Sequence, residues 1–233
     1  MKKKIAISVS CLAVVLLATM TLVASRENKY AFSSDLRTVT AMNPAAQITQ
    51  APAVDPNATT IAGNFSTYQY ATYFSIFGNT IDQGVNGYPF LIWQGEAFTP
   101  TANATVTQLQ VAVGDLNSGS TGIELGIWTD ASGVPGKKIK SYHVAPLQPY
   151  GQCCAVATAN VKGVKVTAGT QYWVVVSTTS KDTDIYGWNF NTTDMRPQLA
   201  AEYCVGSSTY CGSNSGVWVP YQYTQNAFQV LGQ

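Results

Sequence analysis

Residues 122–129 (GIELGIWT) alternate along the chain with a period of two. Ile123, Leu125 and Ile127 fall on one face of an extended segment and Glu124 on the other, the signature of a half-buried strand. Gly133-Val-Pro-Gly136 follows as a tight-turn signal, with Pro135 fixing φ and Gly136 tolerating φ > 0. Residues 137–144 then resume as a strand, which predicts a hairpin. Upstream, 106–113 (VTQLQVAV) repeats the alternation with one imperfection, and 94–99 (QGEAFT) reads as a strand entry. Downstream, 153–159, 163–167, 171–178, 186–191, 199–204, 216–221 and 227–231 read the same way. Residues 172–176 (YWVVV) form the strongest apolar run and read as a central strand buried on both faces. About ten short strands, with turn residues at short intervals, no helical period and no internal repeat, predict an all-β antiparallel β-sandwich or barrel. We place this domain at residues 61–233.

The composition agrees. The chain has 233 residues, of which 46% are hydrophobic, enough to bury a core rather than remain disordered. Charged residues are only 11%, under half the usual quarter. The formal net charge is +1, so there is no basic surplus to release counterions from a phosphate backbone, which excludes nucleic acid as a partner.

The first residues set the compartment. Lys2, Lys3 and Lys4 precede an uncharged run, residues 5–24, that ends in small residues, with Val23 and Ser25 at −3 and −1. Residues 1–25 read as a secretory signal. The run of about 20 residues is also long enough to span a bilayer as an uncleaved anchor helix, the only membrane contact the sequence offers. In either case the remainder is exported, to the cell surface, the extracellular medium or the periplasm. Ser8 stands where a lipoprotein box carries a branched apolar residue, so Cys11 is not read as a lipidation site. Removing residues 1–25 removes three lysines and no acid and takes the net charge from +1 to −2. That charge does not suit a binder of membrane surfaces. Residues 26–60, with AAQITQAPAVDPNATT at 45–60, lack periodicity and read as a flexible, disordered spacer.

Cys153, Cys154, Cys204 and Cys211 remain after the export segment, an even number that points to disulfides with three possible pairings. Cys153 with Cys154 and Cys204 with Cys211 is favoured, since the latter two flank the turn-rich VGSSTY; each of the adjacent pair bonding a distant cysteine is the alternative. There is no Cys-x₂-Cys pair and one histidine, His143, so no zinc site is expected.

Several of these pieces together resemble the choice-of-anchor family, in particular its R-type domain. They are 96–101 (EAFTPT), 106–110 (VTQLQ), 127–130 (IWTD), 132–136 (SGVPG), 150–154 (YGQCC), 168–173 (AGTQYW) and 227–232 (AFQVLG), and the resemblance covers residues 65–233. It implies an exported bacterial β-sandwich, jelly-roll-like, attached to the surface by varied anchors. It implies no settled activity and no catalytic residues.

No G-x-S-x-G elbow accompanies His143, which reads as a surface or half-buried strand residue. A glycoside hydrolase would need a carboxylate pair, for which Glu124, Asp130, Asp182, Asp184, Asp194 and Glu202 are the candidates. Asp182 and Asp184 are also the candidates for a structural calcium ion, although EF-hand spacing is incomplete; no other cofactor is expected. Sugar binding rests on Tyr186, Trp188, Tyr210, Trp218, Tyr221 and Tyr223, aromatics set among amide and hydroxyl residues that can stack on sugar rings and satisfy their hydroxyls. Trp128 and Trp173 read as core. Asn57, Asn64, Asn103 and Asn191 begin N-glycosylation patterns, read as incidental in a bacterial chain. The expectation is an exported, non-catalytic binding or structural protein, with an extracellular glycan or a cell-surface component as partner. A secreted glycosidase and an adhesive surface domain are the alternatives.

Overall fold

A computed structural model describes residues 29–42, 57–65, 77–84, 89–117, 121–151, 156–191, 199–221 and 225–233. In chain order its first strands are β1 (Tyr30–Phe32), β2 (Thr38–Ala41), β3 (Thr59–Gly63), β4 (Phe77–Gln83), β5 (Phe90–Phe98), β6 (Ala104–Val111), β7 (Val113–Asp115) and β8 (Ile123–Asp130). The rest are β9 (Pro135–Val144), β10 (Ala157–Val166), β11 (Tyr172–Ser177), β12 (Tyr186–Asn189), β13 (Ala200–Gly206), one helical turn α1 (Ser208–Cys211), β14 (Val217–Tyr221) and β15 (Phe228–Gly232). Among the described residues no helix is long and apolar enough to cross a membrane. Residues 1–25, read above as a secretory signal or anchor, lie outside the described residues.

The fold is an antiparallel β-sandwich. The larger sheet has 11 strands along the path β1-β2-β4-β5-β11-β8-β9, with β12, β7, β13 and β14 branching from it. The smaller has four, in the order β10-β6-β15-β3. β5 is where the larger sheet divides. β13 runs along one of its edges. The other edge is taken by β11 over Gln94–Phe98 and by β4 at Leu91 and Ile92.

The two sheets close on one core. Ile123, Leu125 and Ile127 of β8 and Val174 and Val176 of β11 meet Val106, Leu109 and Val111 of β6, all fully buried. The alternation read in residues 122–129 is therefore the sandwich seam. β11 pairs with β5 on one side and β8 on the other, and residues 172–176 are buried throughout, as a central strand requires. Residues 157–166, expected as two strands, are one strand with a bulge between Asn160 and Val164.

Two expectations are corrected. Residues 26–60 are not spacer throughout: β1 and β2 join the larger sheet through β4, and Val39 and Ala41 are buried. Sparse apolar residues hid this segment, because a short strand needs few side chains when its ladder completes an existing sheet edge. Trp128 is only half-buried, on the outer face of the sheet.

The outer face is closed at one end by the β8–β9 turn. Ser132 and Gly133 adopt φ of 58° and 89°. Asp130 Oδ1 accepts hydrogen bonds from Trp173 Nε1 (2.8 Å) and Gln171 Nε2 (2.6 Å), and its carboxylate also accepts the Gly133 N–H. Burial alone would raise the Asp130 pKa, but the hydrogen bonds from Trp173, Gly133 and Gln171 outweigh it and hold the carboxyl below its ordinary value. A Cβ at Gly95 would lie 3.1 Å from the Pro135 ring and 3.3 Å from the Trp173 indole, so a side chain there would crowd the turn off Trp173.

Cys204 and Cys211 form a disulfide across the β13–β14 connection, with Cα atoms 5.5 Å apart. Cys153 and Cys154 lie outside the described residues. Closing so short a loop removes unfolded-state entropy worth about 2.5 kcal/mol in the chain-entropy description. The Cys204→Ser/Cys211→Ser variant is expected to lose about that much in urea unfolding; an unchanged midpoint would contradict this.

Candidate functional site

The β13–β14 hairpin sorts the candidate aromatics by the pleat. Successive side chains on a strand point to opposite faces, so Tyr203 and Trp218 go to the outer face of the sheet while Cys204, Glu202, Val219 and Tyr221 go to the other.

On the inner side, the β1–β2 turn leans over this hairpin and encloses a groove of about 340 Å³. Asp35, Arg37, Glu202, Asn214, Val219 and Tyr221 line it, with the Cys204–Cys211 disulfide. One hydrogen-bond chain runs along its wall. Tyr221 Oη donates to Gln94 Oε1 at 2.8 Å, Gln94 Nε2 donates to Glu202 Oε2 at 3.1 Å, and Glu202 Oε1 pairs with Arg37 Nη1. Arg37 Nη2 then donates to the Tyr210 carbonyl at 2.6 Å. The β1–β2 turn is itself held down, since Thr80 Oγ1 donates to the Leu36 carbonyl at 2.7 Å. Asp35 accepts from Ser33 Oγ at 2.6 Å and from the Arg37 N–H at 3.2 Å. Partial burial opposes these bonds and the Arg37 charge, which prevail and keep the Asp35 pKa below its ordinary value. The groove thus offers ionised acceptors and a phenol edge, and its one guanidinium is committed to Glu202 and Tyr210.

Beside this wall, on the same face of β5, lies Glu96, fully buried. Burial pushes its pKa up to about 8, against the opposing pull of hydrogen bonds from Asn226. Its Oε1 accepts the Asn226 N–H at 2.8 Å. Asn226 belongs to a buried amide cluster. Asn64 Nδ2 donates to Gln225 Oε1 at 3.1 Å and to the Asn226 carbonyl at 2.9 Å, and Asn191 Nδ2 donates to the Asn64 carbonyl. The amide nitrogens of two of the four glycosylation patterns, Asn64 and Asn191, are therefore internal.

On the outer face, Trp93, Tyr203, Trp218 and Trp128 form a continuous half-buried row. Trp93 and Tyr203 stack at 5.0 Å and 21°, Tyr203 and Trp218 lie at 5.4 Å and 48°, and Trp218 meets Trp128 edge-on at 5.9 Å. The rings lean on one another and do not form a coplanar platform.

The expected sugar-binding set divides. Tyr186 and Trp188 are fully buried and leave it. Trp188 Nε1 donates to the Ala227 carbonyl at 2.9 Å, and the Tyr186 hydroxyl lies 2.9 Å from Thr121 Oγ1. β12 lies between β4 and β7, so both its edges are paired and its aromatics point into the core. Tyr210 packs on Phe90 at 5.3 Å. Tyr221 lines the groove, Trp218 stands on the outer row, and Tyr223 lies outside the described residues. Arg37 and Gln94 were missed; a lone arginine in an aperiodic segment and a glutamine inside a strand carry no local signal.

The carboxylate candidates take separate hydrogen-bond partners, although Asp182 lies near enough to Glu124 and His143 to feel both charges. Glu124 Oε1 lies 3.3 Å from His143 Nδ1 on the surface, and Asp184 accepts from Thr121 Oγ1 at 2.6 Å. Asp182 accepts the Thr179 N–H and closes its own turn. Asp194 lies outside the described residues. Among the described residues no group of three or more His, Cys, Asp or Glu side chains could hold a metal ion.

No family model, curated protein or solved structure matches the chain.

Proposed function

We propose that this is an exported, non-catalytic binding protein whose ligand is a neutral saccharide of one or two rings, held in the groove beneath Arg37. The observation that carries this reading is the wall chain Tyr221–Gln94–Glu202–Arg37 along a pocket of about 340 Å³. That volume is at the small end of small-ligand sites. Acceptors outnumber free donors, which suits a ligand rich in hydroxyl donors. An anion would have to displace Glu202 from Arg37 and face Asp35. Val219, the disulfide and the Tyr221 ring supply the apolar contact that a sugar face needs.

Glycan-array binding tests this. Binding to a neutral saccharide is expected, and Tyr221→Ala, at a half-buried position, is expected to weaken it at least tenfold while the protein stays folded. No binding by folded protein, or binding indifferent to Tyr221→Ala and Glu202→Gln, would refute the groove as the site.

The outer aromatic row favours a second reading, adhesion to a protein or to a second surface. Half-buried Trp and Tyr rings that still present an edge to solvent can anchor such contacts. In that case Trp218→Ser would abolish adhesion and leave groove binding intact.

A further inference from the structure

Net charge conceals a local asymmetry. Of the 13 lysines and arginines, three precede residue 25 and five lie on two strands: Lys137, Lys138 and Lys140 on β9, Lys162 and Lys165 on β10. All five are exposed. Neither strand contains an acidic residue. β9 ends the path of the larger sheet and β10 ends the smaller one. The two edges meet, since Lys140 Nζ donates to the Lys162 carbonyl at 3.1 Å and the Lys162 N–H to Tyr142 Oη at 2.9 Å. No ion pair involves any of the five among the described residues. Glu124, on the neighbouring β8, is engaged by His143. The acids are spent elsewhere: Asp82, Glu96, Asp115, Asp182 and Asp184 are buried.

We infer that the β9–β10 edge binds a linear polyanionic polysaccharide. Lys138 and Lys140 are two residues apart on an extended strand, about 7 Å along its axis. Lys162 lies beside Lys140, and Lys165 stands three residues further along β10. Together they give this edge an excess of positive charge, which suits a linear chain carrying one negative charge every few ångströms better than a flat bilayer. The choice of a polysaccharide over other polyanions rests on the proposed export of the chain; the positive edge does not. Lysines on edge strands also block strand addition. The two roles differ in sign dependence: glutamate guards an edge as well as lysine does but repels a polyanion.

The test is binding of the purified protein to immobilised polygalacturonate, with neutral dextran as control. Binding is expected at 50 mM salt and should fall roughly 10–100-fold by 200 mM, as counterion release requires for a few contacts. Lys140→Glu/Lys162→Glu should abolish it with the fold intact by circular dichroism, and Tyr221→Ala should leave it unchanged. Loss of saccharide binding in Tyr221→Ala with polyanion binding retained would thus leave the two sites separable. Absence of binding at 50 mM, binding that survives the double charge reversal, or tighter binding to anionic lipid vesicles or single-stranded DNA would overturn the inference.

Discussion

Trp188→Ala is expected to destabilise the protein by about 3–5 kcal/mol, the cost of emptying a fully packed tryptophan site. Trp188 is 0% exposed within the core that joins the two sheets, and its indole N–H bonds the Ala227 carbonyl. Ala227 in turn leads into β15, the strand that links β6 to β3 in the smaller sheet. Removing the indole therefore opens a cavity at the seam and takes one of two hydrogen bonds from the Ala227 carbonyl, which keeps the Ala112 N–H at 3.0 Å. Trp188→Phe should retain most of the packing and lose mainly one hydrogen bond to a carbonyl that keeps another, a cost of about 0.5–1.5 kcal/mol. Equilibrium urea unfolding measures both. A loss under about 1 kcal/mol in Trp188→Ala, accompanied by loss of saccharide binding, would return Trp188 to a ligand site.

Glu96→Gln is expected to remove a large part of the pH dependence of stability. The Glu96 carboxyl has a folded pKa of about 8, raised from an ordinary value of 4.5 by burial. At or below pH 4.5 folded and unfolded chains both hold the proton, and the group contributes its full stability. Between pH 4.5 and 8 the unfolded chain releases the proton while the folded one retains it, so stability falls by about 1.4 kcal/mol per pH unit. Above pH 8 both are ionised and the loss levels off at several kcal/mol. Glutamine keeps an oxygen for the Asn226 N–H and has no proton to lose. Glu96→Gln should match the parent protein near pH 4.5 and exceed its stability by a few kcal/mol at pH 8. The difference between the two unfolding profiles is the readout, since other carboxyls titrate equally in both. Parallel profiles from pH 5 to 9 would show that Glu96 is ionised in the fold.

How much was legible depended on whether the signal was local. The period-two pattern of residues 122–129 and the apolar run at 172–176 are local properties, and both elements stand where the pattern puts them. A turn before the next strand was likewise readable, but its left-handed residues are Ser132 and Gly133, and Pro135 and Gly136, read as the turn, already belong to β9. So was the Cys204–Cys211 bridge, because only six residues of turn-forming sequence, 205–210, lie between its ends. Which face of a strand looks outward is a tertiary property. Tyr186 and Trp188 sit among polar residues in sequence, yet β12 is inserted between β4 and β7 and both side chains are swallowed. The groove needs Arg37 and Glu202, which are 165 positions apart, and only the attachment of β2 to β4 brings them together. The lysine-rich edge was hidden for a related reason: averaging charge over the chain cancels five exposed lysines against acids that are buried elsewhere.

The most direct test of the groove is to map a bound saccharide by amide chemical-shift perturbation in the purified protein, using the strongest neutral hit from the array. Perturbations are expected to concentrate at Asp35–Thr38, Glu202–Cys211 and Val219–Tyr221, on both walls of the groove. Perturbations confined to Trp93, Trp128, Tyr203 and Trp218 on the outer face would contradict the assignment and make the aromatic row the binding surface.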